Sequence, residues 1–143
     1  MTPQEQNDLY QLLLRRANRP HTFTSANGMR LDSVSDGRAE GSAEVTESLL
    51  NPLGIVHGGV YVTMMDQAAG AAACSRGSRC RTVDCEVRFF APAEGEKLYS
   101  HAEAVRLGRS IAVIRAWVTD EKETLCAEGT YTFRLKEGFP REE

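Results

Sequence analysis

From Gly59 to Cys74 the chain reads Gly, Val, Tyr, Val, Thr, Met, Met, Asp, Gln, Ala, Ala, Gly, Ala, Ala, Ala, Cys. Small or apolar residues take nearly every face, the pattern of a helix enclosed on all sides rather than one lying on a surface. Such a helix constrains the fold more than any other segment, because it needs packing partners in several directions at once. Asp66 stands out within it, since an ionised carboxylate is rarely buried without compensation. The segment opens at His57-Gly58-Gly59, where unpaired backbone N–H groups point out of the helix start. It ends by Ser75-Arg76-Gly77, where the glycine can cap it. A donor cluster at one end and an acid two turns in suggest a catalytic site.

The flanking sequence supplies the packing partners. Residues 3–17 form an amphipathic helix, with Pro3 suited to the first turn, Leu9, Leu12, Leu13 and Arg16 at helical spacing, and Arg19-Pro20 beyond its end. Residues 29–35 and 38–45 flank Asp36-Gly37, a hairpin signal. Four strand-like runs follow the apolar helix, at 81–90, 97–107, 110–120 and 124–135. In the first of these, Val83, Cys85, Val87 and Phe89 alternate with polar partners. Short separators at Ala91–Glu96, Gly108-Arg109 and Glu121–Glu123 predict an antiparallel meander. The order predicts an α+β fold, a curved antiparallel sheet wrapped around the long helix, in a single domain spanning 1–143. One sheet leaves part of that helix uncovered, so self-association is expected.

Bulk properties narrow the function. A chain of 143 residues with 41% hydrophobic and 26% charged residues is an ordinary globular protein. A formal charge of −3 argues against a general nucleic-acid binder. The apolar run is interrupted by Asp66 and Gln67 and is too short to span a bilayer. The N-terminal stretch has acids before bases, the reverse of a signal peptide, so the cytoplasm is the expected compartment. Cys74, Cys80, Cys85 and Cys126 form no metal-ligand spacing. Cys85 and Cys126, in strand-like runs, read as small core residues. No metal or cofactor is expected.

Consecutive glycines at a helix start let backbone N–H groups approach a ligand, with the helix dipole favouring developing negative charge. Those are the needs of an oxyanion hole for acyl transfer. Asp66 would then be nucleophile or general base, with Asn51 as an uncharged group to orient a carbonyl or water. The alternative is structural: Gly58-Gly59 permits tight helix entry, Asp66 bonds a neighbouring strand, and His57 serves as a satisfied donor. Gly58 and Asp66 lie eight residues apart, about 12 Å along one helix. A carbonyl must sit about 3 Å from the oxyanion donor and within reach of the base. If both residues act, they come from different chains.

The stretch Asn51-Pro-Leu-Gly54-Ile-Val-His57-Gly58-Gly59, followed by Asp66, resembles the hot-dog-fold acyl-CoA thioesterases of the phenylacetyl-CoA thioesterase (PaaI-like) type. The resemblance continues through Thr82-Val-Asp-Cys-Glu-Val-Arg-Phe-Phe-Ala-Pro92, Leu107-Gly-Arg-Ser110 and the last strand, covering roughly 28–135 and leaving the helix 3–17 outside. It implies dimers that often stack as tetramers, and hydrolysis of an aryl- or fatty acyl-CoA thioester to free acid and CoA, with CoA entering as part of the substrate. It implies that the Gly58 N–H is the oxyanion donor and that Asp66 of the facing subunit is base or nucleophile. Asn51 positions thioester or water, Thr82 places a hydroxyl near the acid, and His57 and Gly59 complete the motif. Arg109 and Ser110 match a segment near the nucleotide. Arg76, Arg79, Arg81, Arg88 and Arg106 are further candidates for the phosphates, though strand-end arginines are more commonly just solvated. Tyr61, Met64, Met65 and Phe90 are candidates for an acyl pocket or plain core. A non-catalytic acyl-CoA-binding module and a hot-dog dehydratase are the competing readings, the latter disfavoured by the HGG motif and Asn51.

Overall fold

The structure is a computed structural model that describes residues 1–138; the last five residues of the expected domain, 139–143, lie outside the described residues. Helix α1 spans Pro3–Ala17, the range expected from the sequence. Its start is closed reciprocally: Thr2 Oγ1 accepts the Glu5 N–H, and the Glu5 carboxylate accepts the Thr2 N–H. Asn18 caps its end and docks it on the sheet. The Asn18 amide donates to the Leu31 carbonyl and accepts the Leu31 N–H, at 2.8 and 2.9 Å. A one-turn helix, α2 (Phe23–Ala26), follows; no periodic signal marks so short an element.

Strands β1 (Met29–Ser35) and β2 (Arg38–Glu44) form the expected hairpin, with Gly37 at the positive φ the turn requires. Helix α3 (Gly58–Cys74) is the apolar run. Gly77 closes its end at positive φ, its N–H donating to the Cys74 carbonyl. Strands β3 (Arg79–Phe89), β4 (Lys97–Leu107), β5 (Ile111–Asp120) and β6 (Leu125–Lys136) complete one antiparallel sheet of order β1-β2-β4-β5-β6-β3. Helix α3 packs against all six strands, which a flat sheet would not allow a single helix to do. The sheet therefore wraps around it, the α+β hot-dog arrangement that the resemblance implies.

The expected four-strand meander is corrected. Only β4, β5 and β6 run in sequence across the sheet; β3 pairs with β6, and β4 pairs with β2. The link between β3 and β4 is held elsewhere. The Ala93 N–H donates to the Tyr61 hydroxyl on α3, and the Glu94 N–H donates to Asp120 at the end of β5. Pro92, which has no N–H, precedes these anchors. The link thus passes over the α3 start instead of turning back beside β3.

Strand β3 is consequently an edge strand, and its expected core alternation is broken. The register slips between Thr82 and Asp84, a β-bulge that leaves Val83 58% exposed. Phe89 and Cys85 are exposed as well. Cys85 is therefore not the core residue the pattern suggested, whereas Cys126 is. Helix α3 also departs from complete enclosure. Val62, Thr63, Asp66, Gln67 and Gly70 form a half-buried stripe, while Met64, Met65, Ala68, Ala69 and Ala72 are buried. The sheet covers the helix except along the line that carries Asp66.

Candidate active site

The acid half of the site lies where that stripe meets β3. Thr82 Oγ1 donates to Oδ1 of Asp66 at 2.6 Å. The bulge at Val83 follows immediately, at a position where bulges commonly re-aim strand side chains. Asp66, Thr82, Val62, Thr63 and Gln67 open on a cavity of about 580 Å³ with Tyr131 on its floor and Phe23 and Thr24 on its far wall. The Tyr131 hydroxyl donates to the Val62 carbonyl at 2.8 Å, and burial pushes its phenol well above the ordinary value. It therefore stays a neutral donor that fixes the cavity floor. The Gln67 Nε2 is buried without a hydrogen-bond partner among the described residues.

The glycine half lies at the α3 N-terminus. His57 is the N-cap, and its Nδ1 accepts the Gly59 N–H at 2.8 Å, which places the ring proton on Nε2. The Val60 N–H donates to the His57 carbonyl. The Gly58 N–H is left without an acceptor among the described residues. Both glycines have a steric reason. A Cβ at position 58 would lie 3.3 Å from Cε1 of Phe89, and one at 59 would lie 3.0 Å from Nδ1 of His57. Asn51 organises the preceding loop: its Oδ1 accepts the N–H groups of Leu53 and Ile55, at 3.0 and 3.3 Å. That Asx turn takes up the side-chain oxygen and leaves the amide NH₂ outside both bonds. Asn51, Gly58, Phe89 and Phe90 border a second cavity of about 280 Å³.

Asp66 and Gly58 open into different cavities, while His57 and Gly59 border a third with Thr63 and Phe23. Eight residues of helix separate Gly58 and Asp66 by about 12 Å and turn their directions by roughly 80°. Of the other expected site residues, Phe90 borders the glycine cavity, while Met65 is fully buried in the core and lines neither cavity. Arg109 and Ser110 lie in the β4–β5 turn, where the Ser110 carbonyl accepts the Leu135 N–H at 2.8 Å. Arg76 is engaged by Asp36 at 2.8 Å. Sequence reasoning did not single out Val62, Thr63, Gln67, Phe23 or Tyr131. Helical spacing from Asp66 would have found the first two, and Gln67 is its neighbour in sequence; Phe23 and Tyr131 come from chain segments that only the fold brings near.

The family described as the thioesterase superfamily matches residues 53–127, from the turn before α3 into β6. The chain belongs to the thioesterase superfamily. This thioesterase is 30% identical over 112 residues to the 1,4-dihydroxy-2-naphthoyl-CoA hydrolase of Listeria monocytogenes, spanning 76% of this chain and 91% of the relative. Its fold is similar to a thioesterase family protein from Silicibacter pomeroyi, with a TM-score of 0.81, 29% identity and coverage of 90% of this chain and 99% of that one. The E. coli PaaI protein from the phenylacetic acid degradation operon has the same fold, with a TM-score of 0.81 over 91% of this chain and 97% of its own, at 21% identity. The activity of the chain is accordingly thioester hydrolysis. Among the described residues no helix is long and apolar enough to cross a membrane.

Proposed function

We propose that the chain hydrolyses an aryl- or fatty acyl-CoA thioester to free acid and CoA, at sites built between two copies of the chain. One observation carries the reading: the carboxylate of Asp66, held by the Thr82 hydroxyl, faces a cavity that the unpaired Gly58 N–H of its own chain does not share. A second copy brings its own helix start to that cavity. The half-buried stripe on α3 and the unpaired edge of β3 are the surfaces it would cover. The dimer is the catalytic unit, and dimers stack as tetramers, as the resemblance implies.

In this scheme the thioester carbonyl oxygen accepts the Gly58 N–H of one chain. Negative charge that builds on that oxygen is met by a fixed donor and the positive end of α3. With Oδ1 engaged by Thr82, Oδ2 of Asp66 takes a proton from water as the water oxygen attacks, or attacks the carbonyl carbon itself. The C–S bond then breaks and the CoA thiolate leaves. On the base route the proton that Asp66 took from water goes to the thiolate. On the nucleophile route a water hydrolyses the Asp66 acyl anhydride, releasing the free acid, restoring the carboxylate and supplying the proton that the thiolate takes. His57 acts through the backbone by holding the Gly59 N–H, so the Gly58 N–H alone points at the substrate. No cofactor enters the scheme. The proposed compartment is the cytoplasm.

The test is CoA release from a panel of aryl- and fatty acyl-CoA esters. Asp66→Asn should lower kcat by about 10²–10⁴-fold; full turnover by that variant would refute the role. Mixing Asp66→Asn protomers with Gly58→Pro protomers tests the shared site. Each mixed dimer holds one intact site, so activity should return to about a quarter of wild type on random re-pairing of a two-fold dimer. Two inactive parents that stay inactive after proven exchange would place both residues in one chain's site.

A further inference from the structure

At one end of the β3–β6 ladder four cations face one another. Arg79 stands opposite Lys136, and Arg81 opposite Arg134. All four are exposed, and strand alternation puts them on the side of the sheet away from α3. Their neighbours Cys80, Phe133 and Leu135 point inward; the Cys80 thiol lies beside the Gly70 carbonyl of α3. Like charges directly opposed across strands destabilise a sheet. Other cations of the chain are matched with acids: Arg38 with Glu103, Arg76 with Asp36, Arg115 with Glu128 and Lys122 with Glu94. Among the described residues, none of the four clustered cations has such a partner. A chain of net charge −3 thus collects four unmatched positive charges around one cavity of about 280 Å³.

Two further contacts tie the cluster to the site. The Leu135 N–H, between Arg134 and Lys136, donates to the Ser110 carbonyl, so the Arg109-Ser110 turn abuts the same end of the sheet. Arg81 immediately precedes Thr82, whose hydroxyl reaches Asp66 from the opposite face of β3.

We propose that Arg79, Arg81, Arg134 and Lys136 bind the phosphate groups of the CoA nucleotide. The proposal rests on the acyl-CoA reading above and extends it to a charge cluster distinct from Arg109. Guanidinium groups match phosphate oxygens in bidentate fashion, and a multiply charged anion would neutralise the repulsion between the four opposed cations. The cavity recognises charge rather than acyl structure, so it contributes affinity common to every acyl-CoA and leaves discrimination to the Asp66 cavity.

Calorimetric binding to the full chain tests this, using CoA, dephospho-CoA and inorganic phosphate as probes. The proteins are wild type, Arg79→Gln/Arg81→Gln and Arg134→Gln/Lys136→Gln. Each double variant should bind CoA about tenfold or more weakly, and wild type should bind dephospho-CoA more weakly than CoA. The melting temperature of each free variant should hold or rise as repulsion is removed, which separates lost binding from lost fold. Unchanged CoA affinity in folded variants would overturn the proposal, as would inorganic phosphate binding as tightly as CoA. Kinetics separate this proposal from the one it rests on. The KM ratio of acyl-CoA to acyl-pantetheine should rise about tenfold in the variants. If acyl-CoA and acyl-pantetheine turn over alike in every protein, the phosphate site falls and hydrolysis stands. If wild type binds CoA through the cluster and cleaves no thioester, the substrate assignment falls and the site stands.

Discussion

The Thr82 hydroxyl donates to Oδ1 of Asp66 at 2.6 Å, joining an edge strand to the central helix across the rim of a cavity. The bond fixes one carboxylate oxygen and leaves the other to face substrate. Thr82→Val should lower kcat about tenfold, the scale of one hydrogen bond to a charged group. Thr82→Ser should retain most of it. Steady-state kinetics on one good acyl-CoA decides; equal activity in Thr82→Val would make the bond incidental.

Gly58 offers a clean removal of the oxyanion donor. It is the first helical position, where proline is tolerated, and His57 at ψ 136° already has the backbone that a following proline requires. Gly58→Pro should keep the fold and lower kcat by about 10²–10³-fold. Gly58→Ala keeps the N–H and requires the Phe89 ring, which is exposed and free to give, to shift by a few tenths of an ångström, so it should lose far less. Comparable losses in both, with intact circular dichroism, would mean that shape matters there and the N–H does not.

Phe23 projects from α2 into the wall of the Asp66 cavity while 70% exposed. An apolar acyl group seated there would bury the ring. Phe23→Ala should lower kcat/KM for aryl- and medium-chain acyl-CoA by about 10-fold or more relative to acetyl-CoA. A uniform change across the panel would remove Phe23 from substrate selection.

Asp120 is a stability element rather than a site residue. It is buried at the end of β5 and accepts the N–H groups of Glu94, Lys122 and Thr124 at 2.9, 2.9 and 3.0 Å. Burial alone would raise its pKa; the backbone N–H groups outweigh that and hold the carboxyl below the ordinary value. A depressed carboxylate contributes stability above its unfolded pKa of about 3.9, and that contribution is lost as pH falls through the lower folded value. Asp120→Ala leaves those donors unmatched and should cost about 2–4 kcal/mol at neutral pH. The gap between wild type and variant should narrow below about pH 4. Urea melts across pH check both; a gap that stays constant into acid would remove the carboxylate's charge from the account.

The sequence by itself determined the elements and the chemistry on offer. Local rules were enough for α1, the β1–β2 hairpin and α3, because capping, turn residues and hydrophobic period act within a few positions. The pairing of a glycine start with an internal acid was legible for the same reason, and the length of helix between Gly58 and Asp66 already separated them. Tertiary structure decided what depends on strand order. Anchoring of Ala93 and Glu94 sent β4 to β2 and left β3 on the edge, so the alternation of Val83, Cys85 and Phe89 did not translate into burial. It set Thr82 against Asp66 and brought Phe23 and Tyr131 around the acid. It also opposed Arg79 and Arg81 to Lys136 and Arg134. Such contacts join positions far apart in the chain, and a local pattern carries no record of which strand will lie beside which.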